Sequence, residues 1–323
     1  MKYRRFGRMG WQVSEIGYGM WGMGDWKDSD DQQSRQALQH AVDLGCNFFD
    51  TAWAYGNGHS ESLLGDLVRA NPGKKLYTAT KIPPKNFKWP SRRGFSLDDC
   101  FPPDHIEAFV HKSLANSGLE SFDLVQFHTW EDAWLKDERW VNAMRDLRRQ
   151  KLFQAIGISI NRWEPWNGVE TVRSGLVDAV QVIYNIFDQN PEDELFPACR
   201  EKDVAVIARV PFDEGTLTGK LTPESTWPKG DWRNTYFVPD NLKSSLEHAE
   251  RLKPLVPEEM DMPEMALRFI LNNPDVSTII PGMRSLRHVE SNIACSEVGP
   301  LPEDLHEKLR PHRWERSPTS WSQ

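Results

Sequence analysis

Cysteine is scarce in this chain: Cys46, Cys100, Cys199 and Cys295 are the only four in 323 residues. They stand far apart with no CxxC or CxxH spacing, so neither a zinc site nor a disulfide framework is expected, and buried free thiols remain. Long apolar runs are missing too. Nowhere do about 18 uninterrupted apolar residues offer a membrane span. The opening MKYRRFGRMG is basic but lacks the apolar core of a signal peptide, which points to the cytoplasm. Positive charge is in deficit, and a formal net charge of -8 gives no face for a phosphate backbone, so nucleic acid is not an expected partner. Low-complexity tracts are absent. With 39% hydrophobic and 27% charged residues, the chain reads as one folded domain over 1–323, with only 317–323 as a loose tail.

What is present is a regular alternation of strand-like and helix-like runs, the pattern of stacked βα units around a parallel sheet. Eight strands are expected to begin near Ile16, Asn47, Leu76, Phe122, Gln154, Asp178, Val204 and Val276. Most are short and apolar, as strands buried on both faces should be. Tyr3 to Phe6 and Gln12 to Ser14 read as a hairpin ahead of them. Between strands, Ala37, Leu38, Ala41 and Leu44 repeat at helical spacing and stop at Gly45; Ile106, Phe109, Val110 and Leu114 do so before Gly118. Two connections exceed a simple unit, Ile82 to Pro103 and Val210 to Met262, the second with an extra helix around Leu242 to Leu252. The expected fold is a (β/α)₈ TIM barrel with an N-terminal β-hairpin and extra helices in long loops at its C-terminal face.

Four reactive side chains fall where strands end. Asp50 closes NFFD, Lys81 follows LYTAT, His128 follows FDLVQF, and Tyr55 lies in the loop after the first. In a parallel barrel those ends share one rim, where such folds place their chemistry. Together they make a proton-transfer unit. Carbonyl reduction needs a hydride at carbon and a proton at oxygen, and a tyrosine can give that proton if its pKa, about 10 unperturbed, is brought down. Lys81 can do this with an ammonium beside the phenol, Asp50 can hold Lys81, and His128 can steer the substrate oxygen. Gly17, Gly19 and Gly22 also spell GxGxxG (GYGMWG) after the first strand, which alone would suggest a Rossmann dinucleotide fold. The following helix begins only near Ser29 or Asp30, too late for that motif, and a glycine-lined turn explains the residues as well.

Motifs in order along the chain, IGYGMWGMG, DTAWAYG, TATK, QFHTW, GISIN, VQVIYN, RVPFDEGTLTGKL and IIPGMRSLRHVESN, resemble the aldo-keto reductase superfamily over nearly the whole length. The resemblance implies a catalytic tetrad of Asp50, Tyr55, Lys81 and His128, with Tyr55 as general acid. It also implies an extended nicotinamide dinucleotide, NADP(H) in preference, with NAD(H) left open. Ser159, Asn161 and Gln181 match the carboxamide site, although Ile160 separates Ser159 from Asn161 where many relatives have them adjacent. Gly19, Met20, Trp21 and Asp50 flank it. Arg209 replaces a stacking tyrosine and is followed by Val210 and Pro211, and Phe212 opens the loop that resembles the pyrophosphate belt. Gly215, Leu217, Gly219 and Lys220 match the pyrophosphate loop. Pro281, Gly282, Arg284, His288 and Asn292 match the adenosine-phosphate site, with Ser291 in place of the usual Glu.

Fourteen tryptophans are many for this length. Trp21, Trp53 and Trp130 adjoin the motifs and are expected, with Tyr55 and His128, to wall the substrate pocket; Trp89, Trp227 and Trp232 read as packing. The substrate is then a small carbonyl or alcohol, with a homo-oligomer left open and no metal. A competing reading is a regulatory subunit that binds nicotinamide with little turnover.

Overall fold

The computed structural model describes residues 1–24 and 30–316. Ser29, offered as a helix start, and the tail 317–323 lie outside the described residues. Strands β1 (Tyr3–Phe6) and β2 (Trp11–Ser14) pair antiparallel as the expected hairpin. Eight parallel strands follow: β3 (Tyr18–Gly19), β4 (Phe48–Asp50), β5 (Tyr77–Ile82), β6 (Phe122–His128), β7 (Phe153–Ser159), β8 (Ala179–Ile183), β9 (Ala205–Arg209) and β10 (Val276–Ile279). Each neighbours the next in chain order, because every connection crosses over on the outside with helical structure. The starts fall at or beside the expected positions except the first, where Ile16 makes an isolated bridge and the strand opens at Tyr18.

The first and last strands meet through bridges from Ile16 to Ile279 and from Gly19 to Gly282, nearly closing the barrel. That seam explains the glycines. A Cβ on Gly19 would lie 2.6 Å from the Ile280 carbonyl oxygen, and one on Gly17 2.8 Å from the Thr278 hydroxyl. Both are glycine so that strands can approach, and Gly22 sits in the short turn Trp21–Met23. The next helix, Asp31–Asp43, starts under Asp30, whose carboxylate accepts the Gln33 N–H at 2.8 Å. The barrel topology excludes the Rossmann alternative.

Alternation along each strand sorts the side chains by height. Phe48, Tyr77, Ala79, Leu124, Ala155, Ala179 and Ala205 point inward and form the lower core with Phe6 and Val13 of the hairpin. Trp11 bridges the two, 5.2 Å from the Phe6 ring and 5.1 Å from Tyr77. Two residues further along their strands, the inward positions of β4, β6 and β8 are Asp50, Gln126 and Gln181, all buried. The top positions are Lys81, His128, Ser159 and Arg209. Thus an apolar plug fills one end of the barrel and polar groups face the other. The expected extra helix is present at Pro239–Leu252, joined by the short helices Arg233–Tyr236 in the same connection and Leu97–Cys100 after β5.

Candidate active site

Lys81 is fully buried, and its three ammonium hydrogens have three acceptors: an Asp50 Oδ1, the Thr51 carbonyl at 2.7 Å and the Tyr55 hydroxyl at 3.3 Å. The other Asp50 oxygen accepts from the side-chain nitrogens of Gln126 at 3.0 Å and Gln181 at 2.9 Å. The ammonium is therefore held beside Tyr55 by an acceptor that is itself held. Burial alone would lower the lysine, but Asp50 and Tyr55 raise it above its ordinary value, so it stays charged.

The phenol behaves differently from the sequence expectation. Burial pushes Tyr55 above its ordinary value, while Lys81 pulls it down and Asp50 opposes that pull. Desolvation wins, and Tyr55 is a protonated donor at neutral pH. His128 faces it, ring centroids 6.1 Å apart and edge-on. Burial first, then the Lys81 and Arg209 charges, holds the imidazole well below its usual value, so it is neutral. Its Nδ1 is buried with no partner among the described residues.

These groups open onto a cavity of about 1720 Å³ that extends across the top of the barrel. Asp50, Tyr55, His128, Ser159, Gln181 and Arg209 line one end, while Lys81 stands behind Tyr55. The sequence profile of the aldo/keto reductase family matches residues 15–313. The chain belongs to that family. Among its relatives, an aldo-keto reductase of Schizosaccharomyces pombe named yakc and designated for NADP(+) is 27% identical, covering 88% of this chain and 84% of that one. An NADH-specific methylglyoxal reductase of Escherichia coli is 26% identical over 88% of this chain and 90% of that one. In structure, the holo form of an aldo-keto reductase from Bacillus halodurans superposes with a TM-score of 0.78 at 22% identity, covering 100% of both chains, a likeness of fold.

In this family member the remaining sequence-derived positions divide. Gly19, Met20 and Trp21 line the cavity beside the tetrad, and Val210, Pro211, Phe212, Gly215 and Lys220 line it along the loop after β9. Gly282, Arg284, His288 and Asn292 line its far end. Leu217 is in the core, and neither Gly219 nor Pro281 lines the cavity. Asn161 reaches the wall but its amide is committed: Nδ2 donates to the Ser91 carbonyl at 2.8 Å, Glu131 at 3.0 Å and Glu164 at 3.1 Å, while Oδ1 accepts from Thr129. Ile160 stands between Ser159 and Asn161, and the Asn161 side chain is bound into the surrounding loops. Burial meanwhile pushes the Glu131 carboxyl up to about 7. Arg209 donates from Nη2 to the Ile160 carbonyl at 2.9 Å and keeps a buried Nε without a partner among the described residues. Burial and then Arg162 bring it down to about 10, still a cation at neutral pH.

The tryptophans are sorted differently from the sequence reading. Trp130 is fully buried among Phe127, Trp134 and Trp140, and its N–H donates to the Thr171 hydroxyl at 2.8 Å. Trp53 packs edge-on against Phe109 at 4.8 Å, and neither lines the cavity. Trp130 is covered by its aromatic partners, whereas Trp53 is half-buried and also lies 5.8 Å from the ring of Phe87, an exposed residue of the cavity wall. Trp89, Trp227 and Trp232 line the cavity instead, beside Trp21, whose ring lies 5.1 Å from Trp232. Trp89 is fixed against the tetrad by its N–H, which donates to the His128 carbonyl at 2.8 Å. Trp130→Ala is accordingly expected to cost about 3–5 kcal/mol of stability. Denaturant unfolding checks this, with turnover of the folded fraction near wild type.

Proposed function

We propose that this reductase interconverts an aldehyde or ketone and its alcohol by hydride transfer with NADP(H), Tyr55 serving as general acid in reduction and general base in oxidation. The observation that carries the reading is the Tyr55 hydroxyl at 3.3 Å from a lysine whose other hydrogens are bound to Asp50 and the Thr51 carbonyl. That arrangement leaves a proton donor fixed at the cavity wall with a permanent cation behind it. A positive charge beside the phenol steadies the phenolate that donation leaves.

The cavity fits an extended dinucleotide. At about 1720 Å³ it exceeds the space a small carbonyl needs. Its far end gathers Lys220, Arg284, Arg287 and His288 at the start of helix Leu286–Val298, where Ser285 caps the first turn by accepting the His288 N–H at 3.3 Å. Cations and free N–H groups at a helix N-terminus suit a phosphate. When bound, the nicotinamide supplies the hydride. Ser159 and Gln181 would hold its carboxamide; Gln181 spends its nitrogen on Asp50, so its oxygen is the atom it can offer. His128, neutral and facing Tyr55, would donate to the substrate oxygen and turn the carbonyl carbon toward the donor.

Burial and then Lys220, Arg287 and Arg284 hold His288 below its usual value, so the charge for a 2'-phosphate falls to the arginines and Lys220. Of the two relatives above, one is designated for NADP(+) and one is specific for NADH, so the preference rests on this chain's own residues. Loss of a hydrogen bond to a charged group is worth about 1.5–3 kcal/mol, hence Arg284→Ala should weaken NADPH about tenfold or more while NADH changes little. Fluorescence titration with both cofactors checks it, and equal losses would remove the 2'-phosphate assignment. A panel of aldehydes and ketones assayed with each cofactor tests the activity itself.

A further inference from the structure

The loop after β9 has an unusual backbone. Val210, Asp213 and Glu214 take φ values of 57°, 46° and 57°, a region that side-chain-bearing residues avoid. Three such residues within five positions persist only if contacts from elsewhere hold them. Those contacts are buried ion pairs at Asp213 and Glu214 and a side-chain amide at Val210.

Asp213 is 1% exposed and accepts from Arg316 Nη1 at 2.8 Å, across 103 positions of sequence. The second Arg316 nitrogen, Nη2, reaches Asp188 at 3.2 Å, and Nη1 also donates to the Tyr236 hydroxyl at 3.2 Å. Asn185 donates both to Asp188 at 2.9 Å and to the Val210 carbonyl at 3.1 Å, so the same cluster grips the start of the loop. Glu214 is paired with the buried Arg162. The Arg316 guanidinium lies 4.2 Å from the Trp314 ring and 5.1 Å from Trp163, a position reached by a side chain only 2% exposed. A flexible tail would not bury a guanidinium so fully for solubility alone.

The loop so held presents Phe212, Glu214, Gly215, Thr218 and Lys220 to the cavity, between the tetrad and the cationic end. We propose that Arg316 is a positioning residue for cofactor binding: the C-terminal segment pins the loop after β9 in the conformation that receives the dinucleotide's phosphates. The inference rests on the nicotinamide reading above. In the absence of the pin, Asp213 and Glu214 relax toward ordinary backbone angles, and the cofactor must restore the loop from its own binding energy. By linkage, bound cofactor should in turn tighten the C-terminal segment.

The test is NADPH titration of the full chain, wild type against Arg316→Ala and Arg316→Lys, with kcat at saturating cofactor and substrate KM measured alongside. Arg316→Ala should weaken NADPH about tenfold, within the usual range of coupling between sites, while kcat and substrate KM stay within about twofold. Arg316→Lys keeps the charge but cannot span Asp213 and Asp188 with two fixed prongs, so it should fall between. If the alanine variant does not fold, the lysine variant decides: a cofactor affinity equal to wild type in a folded variant overturns the proposal. A second readout is limited proteolysis, where saturating NADPH should protect the C-terminal segment of wild type and protect it less in the variant; equal protection also counts against it. Wild type that binds no nicotinamide would instead overturn the functional reading, which separates the two failures.

Discussion

Tyr55→Phe should lower kcat by about 10²-fold or more while leaving NADPH affinity unchanged, because general acid catalysis contributes about 10² to 10⁴ and the ring itself is kept. The lost atom is the hydroxyl that Lys81 contacts at 3.3 Å, and the phenylalanine still packs edge-on against His128. A pH profile gives the assignment a sign. Burial holds the phenol above its ordinary value, so in the free enzyme the donor is fully protonated at neutral pH. Reduction should be flat through neutrality and decline on the alkaline side as the phenol loses its proton; oxidation, which needs the phenolate, should rise there. Steady-state rates in both directions would show this, and the variant should lose the alkaline dependence. Turnover equal to wild type would remove Tyr55 from the chemistry.

Lys81→Met should damage both turnover and stability. It deletes the cation behind Tyr55 and leaves the Asp50 carboxylate, 2% exposed, with Gln126 and Gln181 as its side-chain partners among the described residues. Breaking one side of a buried pair costs about 3–5 kcal/mol, mostly for the uncompensated charge that stays. Removing that charge as well should undo the structural part. In the double variant Asp50→Asn with Lys81→Met, stability should recover much of the loss, since a buried neutral amide can still bond to the two glutamines. Turnover should remain about 10²-fold or more below wild type, because no cation then steadies the phenolate. Denaturant unfolding and kcat measured on the same three proteins separate the roles. A double variant that regains activity with stability would show that Lys81 acts only by balancing Asp50.

The strand ends were legible because the hydrophobic runs stop where parallel strands leave the barrel, and period-two alternation then fixes which residues point inward. Asp50, Lys81 and His128 follow from that rule alone, and Tyr55 from its place one loop further on. Gln126 was missed although it occupies the inward position just below His128; alternation along FDLVQFH could have found it. Its role becomes visible only when β4 and β6 are brought together so that its nitrogen meets Asp50.

Long-range placement was not legible. Trp130 stands two residues after His128 and Trp89 stands in a long loop, yet the first is core and the second lines the cavity, because loop paths are set by contacts distant in sequence. The same holds for Asn161, whose amide is taken up by residues from two other loops. Arg316 is the extreme case: nothing in its local sequence marks a buried guanidinium beside Asp213.

Hydride transfer from a bound nicotinamide, with the proton supplied by Tyr55, can be watched in a single event. The measurement is single-turnover oxidation of enzyme-bound NADPH by an accepted carbonyl, with the transferred hydrogen of the cofactor as protium or deuterium, in wild type and Tyr55→Phe. Wild type should oxidise the bound cofactor with a slower rate for deuterium, and the variant should hold NADPH but oxidise it about 10²-fold more slowly. Equal rates in the two proteins, or no oxidation of bound NADPH by any carbonyl in wild type, would contradict it.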